Sequence, residues 1–191
     1  MVSRLESSAA TRRSLLDAAR ELLNEGGPSR VTLREVGARA AVSRGAPYRH
    51  FADKESLLAA VGAESWDRIT DQLAQIHAAP PADRAVLLKS ALRALIEVGT
   101  EEPEVYRAMF TVPASNPEVA IDAALRAQEQ FLRIVGSVVG EEYAHLYGAM
   151  LLTSAHGITT MGSTGHLSPE MWQVSLDDVV DAMVDLVAQR S

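Results

Sequence analysis

Apolar residues return every three or four positions along almost the whole chain, and no stretch alternates them one by one as a half-buried strand requires. An all-α fold follows. Leu15, Leu16, Ala19, Leu22 and Leu23 form one stripe that Gly26, Gly27 and Pro28 interrupt, so a first helix is expected from about Thr11 to Glu25. Asp53 is placed to cap a long helix that starts at Lys54, carries Leu57, Val61, Trp66, Ile69, Leu73 and Ile76, and ends at Pro80-Pro81. Helices are then expected over Asp83 to about Thr100 and over Glu104 to Phe110. Asn116-Pro117, a cap followed by a first-turn proline, opens another through Ile121, Leu125, Phe131, Leu132 and Val135, ending within Gly136 to Gly140. Glu141 to about Met161 is the next. After a loop from Gly162 to Pro169, Ser175 with Asp178 three residues on reads as a capping box for a last helix to about Ala188.

One segment has a more particular shape. Residues Val31 to Phe51, VTLREVGARAAVSRGAPYRHF, read as two short helices joined by a tight turn. Leu33, Val36 and Ala40 lie at helical spacing behind Thr32, whose hydroxyl can cap the first helix. Ala41 and Val42 break it, and Ser43 is expected to cap a second, very short helix beginning at Arg44. Two helices in this relation allow the second to enter the major groove of DNA while the first crosses the backbone.

Charge tests that reading. The net charge of −7 argues against a phosphate-binding protein, but the charge is unevenly spread. Residues Met1 to Ala60 hold 10 Lys+Arg against 7 Asp+Glu, and the remainder hold 8 against 18. A basic head on an acidic body is what a DNA-binding domain joined to a body that stays off DNA requires. The chain has no cysteine, which excludes disulfides, thiolate nucleophiles and cysteine-held metals. It has no export-like segment and no apolar run of membrane length, so a cytoplasmic location and no membrane partner are expected.

The leading amphipathic helix, the helix-turn-helix, the string SRGAPYRHF and then DKESLL together resemble the TetR family of bacterial transcriptional repressors over roughly Thr11 to Val61. Ala155-His156-Gly157 in a hydrophobic helix is similar to the WHG-type carboxy-terminal domain of part of that family, with Leu152 where a tryptophan is expected. The resemblance implies an all-helical homodimer with a three-helix DNA-binding head and a helical ligand-binding and dimerisation body. In this sequence the head would be residues 1–53, with 1–10 a flexible arm, and the body residues 54–191. It also implies double-stranded operator DNA as partner, and a small molecule that releases it.

Side-chain chemistry suggests who does what in the head. Arg44 suits bidentate pairing with guanine, Gly45 close approach of backbone to duplex, and Ala46 contact with a thymine methyl. Tyr48 suits sugar and phosphate, with Arg49 and His50 beside it, and Lys54 offers charge to a phosphate. Thr32 and Ser43 add hydroxyls, and Arg34 is a further contact candidate, whereas Leu33, Val36, Val42 and Phe51 belong to the core.

In the body, Trp66, Ile96, Tyr106, Met109, Phe110, Phe131, Met150, Thr153 and His156 are candidates for an apolar pocket with a few polar groups, suited to an apolar or amphiphilic ligand. The last two long helices, about 141–162 and 175–188, are apolar on broad faces with several small residues, which suits a four-helix dimer contact with a second copy. A body that only dimerises or binds a partner protein is the alternative. An enzyme finds little support. Glu142 and His145 form one Glu-x-x-His element, but no other histidine has a glutamate three residues before it, so no metal or cofactor is expected. No phosphate-binding glycine loop, G-x-S-x-G or H-E-x-x-H element is present either.

Overall fold

A computed structural model describes residues 4–111 and 117–189, and every regular element among them is helical. In chain order these are α1 (Arg4–Gly26), a 3-10 turn (Pro28–Arg30), α2 (Leu33–Arg39), α3 (Ala46–His50), α4 (Lys54–Ala78), α5 (Arg84–Glu101), α6 (Pro103–Met109), α7 (Pro117–Val139), α8 (Glu141–Ser163), α9 (Pro169–Trp172) and α10 (Leu176–Ala188).

Local chemistry accounts for most ends. Gly27 takes φ 69, a conformation that costs glycine least, and its N–H donates to the Leu23 carbonyl at 2.7 Å, so α1 stops where the Gly-Gly-Pro cluster predicts. Thr32 caps α2 by accepting from the Glu35 N–H. Asp53 caps α4 through the Ser56 N–H at 2.7 Å, while the Ser56 hydroxyl accepts from the Asp53 N–H at 3.1 Å. The Ser175 and Asp178 capping box is complete.

The structure differs from expectation at three places. Helix α1 begins at Arg4 instead of Thr11, so residues 4–10 of the expected flexible arm are helical. Ser43 does not cap α3; Gly45 occupies the cap position, and the helix starts two residues after Arg44. Pro47, with its φ preset and no N–H to satisfy, sits in the first turn and fixes that start. The short helix α9 lies in a stretch that carries no periodicity. The expected Asn116 cap falls outside the described residues.

The described chain divides into two compact units, Met1–Ser65 with Glu102–Ala123, and Trp66–Glu101 with Ala124–Ser191. The division does not fall at residue 53, because α6 folds back onto α1. The first unit packs Leu15, Leu23, Val31, Val36, Leu57 and Val61 into one core, with Phe51 and Val105 joining it. In the second, α5 packs on α8 and α10, and Leu88 and Leu92 of α5, Leu151 of α8 and Val184 of α10 are all buried.

Candidate nucleic-acid interface

The interface is built on a close approach of α2 to α3. Gly37 is buried, and a Cβ there would stand 2.7 Å from Pro47 Cγ, so the two helices meet only because the position lacks a side chain. Between them Ala41 takes φ 54, and the Val42 N–H donates to the Gly37 carbonyl at 3.2 Å. The Ser43 carbonyl accepts from the Ala46 N–H at 2.8 Å, which closes the turn into α3. Phe51 then ends α3 by donating its N–H to the Pro47 carbonyl at 2.9 Å.

This geometry sorts the candidates. Thr32, Arg34, Ser43, Arg44, Gly45, Tyr48 and Arg49 are exposed, Tyr48 at 59%, whereas His50 and Lys54 are half-buried. Ala46 is 2% exposed: its methyl packs inside, where it cannot reach a thymine. Leu33, Val36 and Phe51 are buried and Val42 packs against the same core, as expected. The hydroxyl of Thr32 is occupied on both sides, accepting from the Glu35 N–H and donating to the Glu35 carboxylate at 3.0 Å. The Lys54 ammonium donates to the Pro28 carbonyl, which ties the start of α4 to the 3-10 turn and uses one of its three donors.

Arg39 belongs to a different network. It grips Glu25 with both ends of its guanidinium, at 2.8 and 3.0 Å, and reaches Glu21 at 3.0 Å. Hydrogen bonding to Arg39 holds the Glu25 carboxyl below the usual carboxylate range. A basic count along the sequence includes Arg39 among the DNA-facing charges; the fold spends it on α1.

The pocket candidates scatter. Trp66, Ile96 and Phe131 are buried in the second unit, and Tyr106 and Met109 in the first. Phe110 is exposed, its ring 5.0 Å from that of Tyr106. Met150 and Thr153 are exposed on α8, and the Thr153 hydroxyl donates to the Ala149 and Met150 carbonyls of its own helix. Periodicity marks them as apolar-face residues but does not say which of two faces of α8 turns inward. His156 is half-buried. The second unit has a cleft of about 340 Å³ between α7 and α8, lined by Leu125, Leu132, Arg133, Ala144 and His145 among others, and none of the pocket candidates borders it. Glu142 and His145 are both exposed, and no group of three or more potential metal ligands occurs among the described residues. No helix among them is long and apolar enough to cross a membrane.

Residues 15–61 match the model for bacterial regulatory proteins of the tetR family, and residues 88–187 match that for the tetracyclin repressor-like C-terminal domain. An HTH-type transcriptional repressor of Mycobacterium tuberculosis is 36% identical over 70 residues, covering 37% of this chain and 36% of that protein. The matched stretch thus spans about a third of that curated relative. A Rhodococcus protein of unknown function has the same fold at a TM-score of 0.77 and 24% identity, covering 94% of both chains. The transcriptional regulator FadR from Bacillus subtilis, solved in complex with stearoyl-CoA, aligns at 0.67 and 15% identity over 94% of this chain and 98% of its own. With a carboxy-terminal family model matching more than half its length and an amino-terminal one matching the helix-turn-helix, the chain belongs to the TetR family.

Proposed function

We propose that this protein is a DNA-binding transcriptional repressor that acts as a homodimer in the cytoplasm and leaves an inverted-repeat operator when a small apolar or amphiphilic molecule binds its body. The observation that carries the DNA part is the sorting of side chains on α2, the turn and α3. Arg34, Ser43, Arg44, Gly45, Tyr48 and Arg49 face solvent on an element whose Leu33, Val36, Val42 and Phe51 turn to the core. Thr32, His50 and Lys54 complete the proposed contacts. The functional head is residues 1–53 and the effector and dimer body 54–191. Arg44, ahead of α3 in the turn, supplies a base-edge or neighbouring phosphate contact, and Lys54 a phosphate contact.

Duplexes selected from a random pool test this, and an inverted repeat is the expected product. Arg44→Ala then costs about 1–3 kcal/mol on the selected site and relaxes its sequence preference, whereas Lys54→Ala weakens all duplexes alike. Unchanged binding by the Arg44 variant in a gel-shift series overturns the reading-residue assignment.

For the effector, the stearoyl-CoA bound by the FadR of Bacillus subtilis makes a long-chain acyl thioester the first probe, beside free stearate. Release of the selected duplex at micromolar probe supports an amphiphile-binding body. The exposure of Phe110, Met150 and Thr153 favours a second reading, a body that dimerises or binds a partner protein without a ligand. Failure of either probe to bind or release DNA moves the balance to that reading.

A further inference from the structure

The fold redistributes the basic residues of the head. Arg20 is held by Glu64 and Glu102 and Arg39 by Glu21 and Glu25, so two of the charges that a sequence count assigns to DNA are paired within the fold. Arg12 is differently placed. The buried stripe of α1, Leu15 and Leu16, Ala19, Leu22 and Leu23, continues backward at helical spacing to Arg12, where the next position of a core stripe is a cation. Arg12 is exposed and forms no ion pair among the described residues. Its guanidinium carbon lies 5.5 Å from the centroid of the Phe51 ring. Phe51 is the residue that closes α3, and the His50 ring lies 6.4 Å from the same ring. Two basic side chains 38 positions apart in sequence therefore share one aromatic ring at the end of the short helix.

We propose that Arg12 binds a phosphodiester of the operator backbone, which makes α1 part of the DNA interface. This rests on the DNA-binding reading above. A guanidinium over an aromatic face uses its π-surface for that contact and keeps its in-plane N–H donors for a phosphate. The Phe51 ring restricts a long side chain in advance, so less freedom is lost when the phosphate arrives. Exposed Arg49 lies two residues before Phe51 and α4 starts three residues after it, at the end of a reading helix where a passing backbone needs positive charge.

The test is the salt dependence of binding by the full chain, followed by fluorescence anisotropy on the selected inverted repeat and on an unrelated duplex. A variant removes one phosphate contact from each protomer, so the dimer loses two: the slope of log affinity against log salt falls by about 1.8, which weakens binding about 30-fold at 0.15 M salt. Arg12→Ala and Arg12→Gln are expected to show that loss on both duplexes, and Arg12→Lys to keep the wild-type slope. The glutamine variant keeps the start of the stem and a polar end without the charge, and thermal melts report any loss of fold. If both neutral variants retain the wild-type slope, even with a lower melting temperature, Arg12 only covers the core and the proposal is overturned. If the wild type binds no duplex, the DNA-binding reading falls and this one falls with it.

Discussion

The turn of the head rests on Ala41, a residue with a Cβ in a left-handed conformation at φ 54. An L-residue other than glycine costs about 1–2 kcal/mol there. Glycine removes that cost but gives back about 0.5 kcal/mol through the freedom it adds to the unfolded chain. Ala41→Gly is therefore expected to stabilise the head by about 0.5–1.5 kcal/mol, a rise in melting temperature of about 1–6 °C for a chain of this size. A thermal melt checks it, and a fall in melting temperature refutes the strain. Neither Ala41 nor the Gly37 contact with Pro47 was legible in the sequence beyond the fact that a turn occurs. An alanine advertises no special backbone, and a glycine inside a helical stripe does not say what approaches it. The burial of Ala46 was hidden for the same reason: on a helix of barely more than one turn, periodicity has too few residues to distinguish faces.

Helix identities and most ends were legible, because caps are local. Thr32 with Glu35, Asp53 with Ser56, and Ser175 with Asp178 each lie three residues apart. What joins the elements was not. Arg20 of α1, 14% exposed, donates to Glu102 at the start of α6 at 2.8 Å and to Glu64 of α4 at 3.2 Å. Asn24 donates to the same Glu102 at 3.0 Å. These partners lie 44 and 82 positions from Arg20, so no window along the chain shows them. The network explains why α6 belongs to the first unit although helix α5 intervenes in sequence. It is backed by a close fit: a Cβ on Gly62 of α4 would stand 3.0 Å from the Ala108 carbonyl oxygen of α6. Removing the cation leaves two carboxylates facing one another in a partly buried site. Arg20→Ala is expected to destabilise the protein by about 2–3 kcal/mol, below the full cost for a wholly buried pair because Glu64 keeps some water. Urea unfolding measures it, and an unchanged midpoint removes the clamp from the account of the fold.

At the scale of the molecule, α8 and α10 are apolar on more than one face. Ala144, Gly148, Leu151, Ala155 and Ile158 of α8, with Val180, Val184 and Val187 of α10, are buried within their unit. Arg93 with Asp177 and Lys89 with Asp181 fasten α10 to α5 at the rim. The other faces stay uncovered. Tyr143, Leu146, Met150 and Met161 of α8 are exposed, and Leu186 of α10 is 71% exposed. The breadth of both apolar faces was legible in the sequence; which residues turn outward required the packing. Exposed apolar side chains gathered on two helices of an acidic body are out of place on a monomer and suit a second copy. Pairing would also serve the head, because one short α3 contacts few bases, and joining two heads makes the second binding event intramolecular. Leu146→Glu combined with Leu186→Glu places like charges on the proposed contact while leaving the buried faces intact. The double variant is expected to keep its helical circular dichroism, to sediment as a monomer, and to lose at least about 100-fold in affinity for the inverted repeat. Its affinity for an isolated half-site is expected to match the wild type, since the head is untouched. A variant that still sediments as a dimer places the contact elsewhere on the molecule. A monomer with undiminished affinity for the inverted repeat shows that the two heads do not act together.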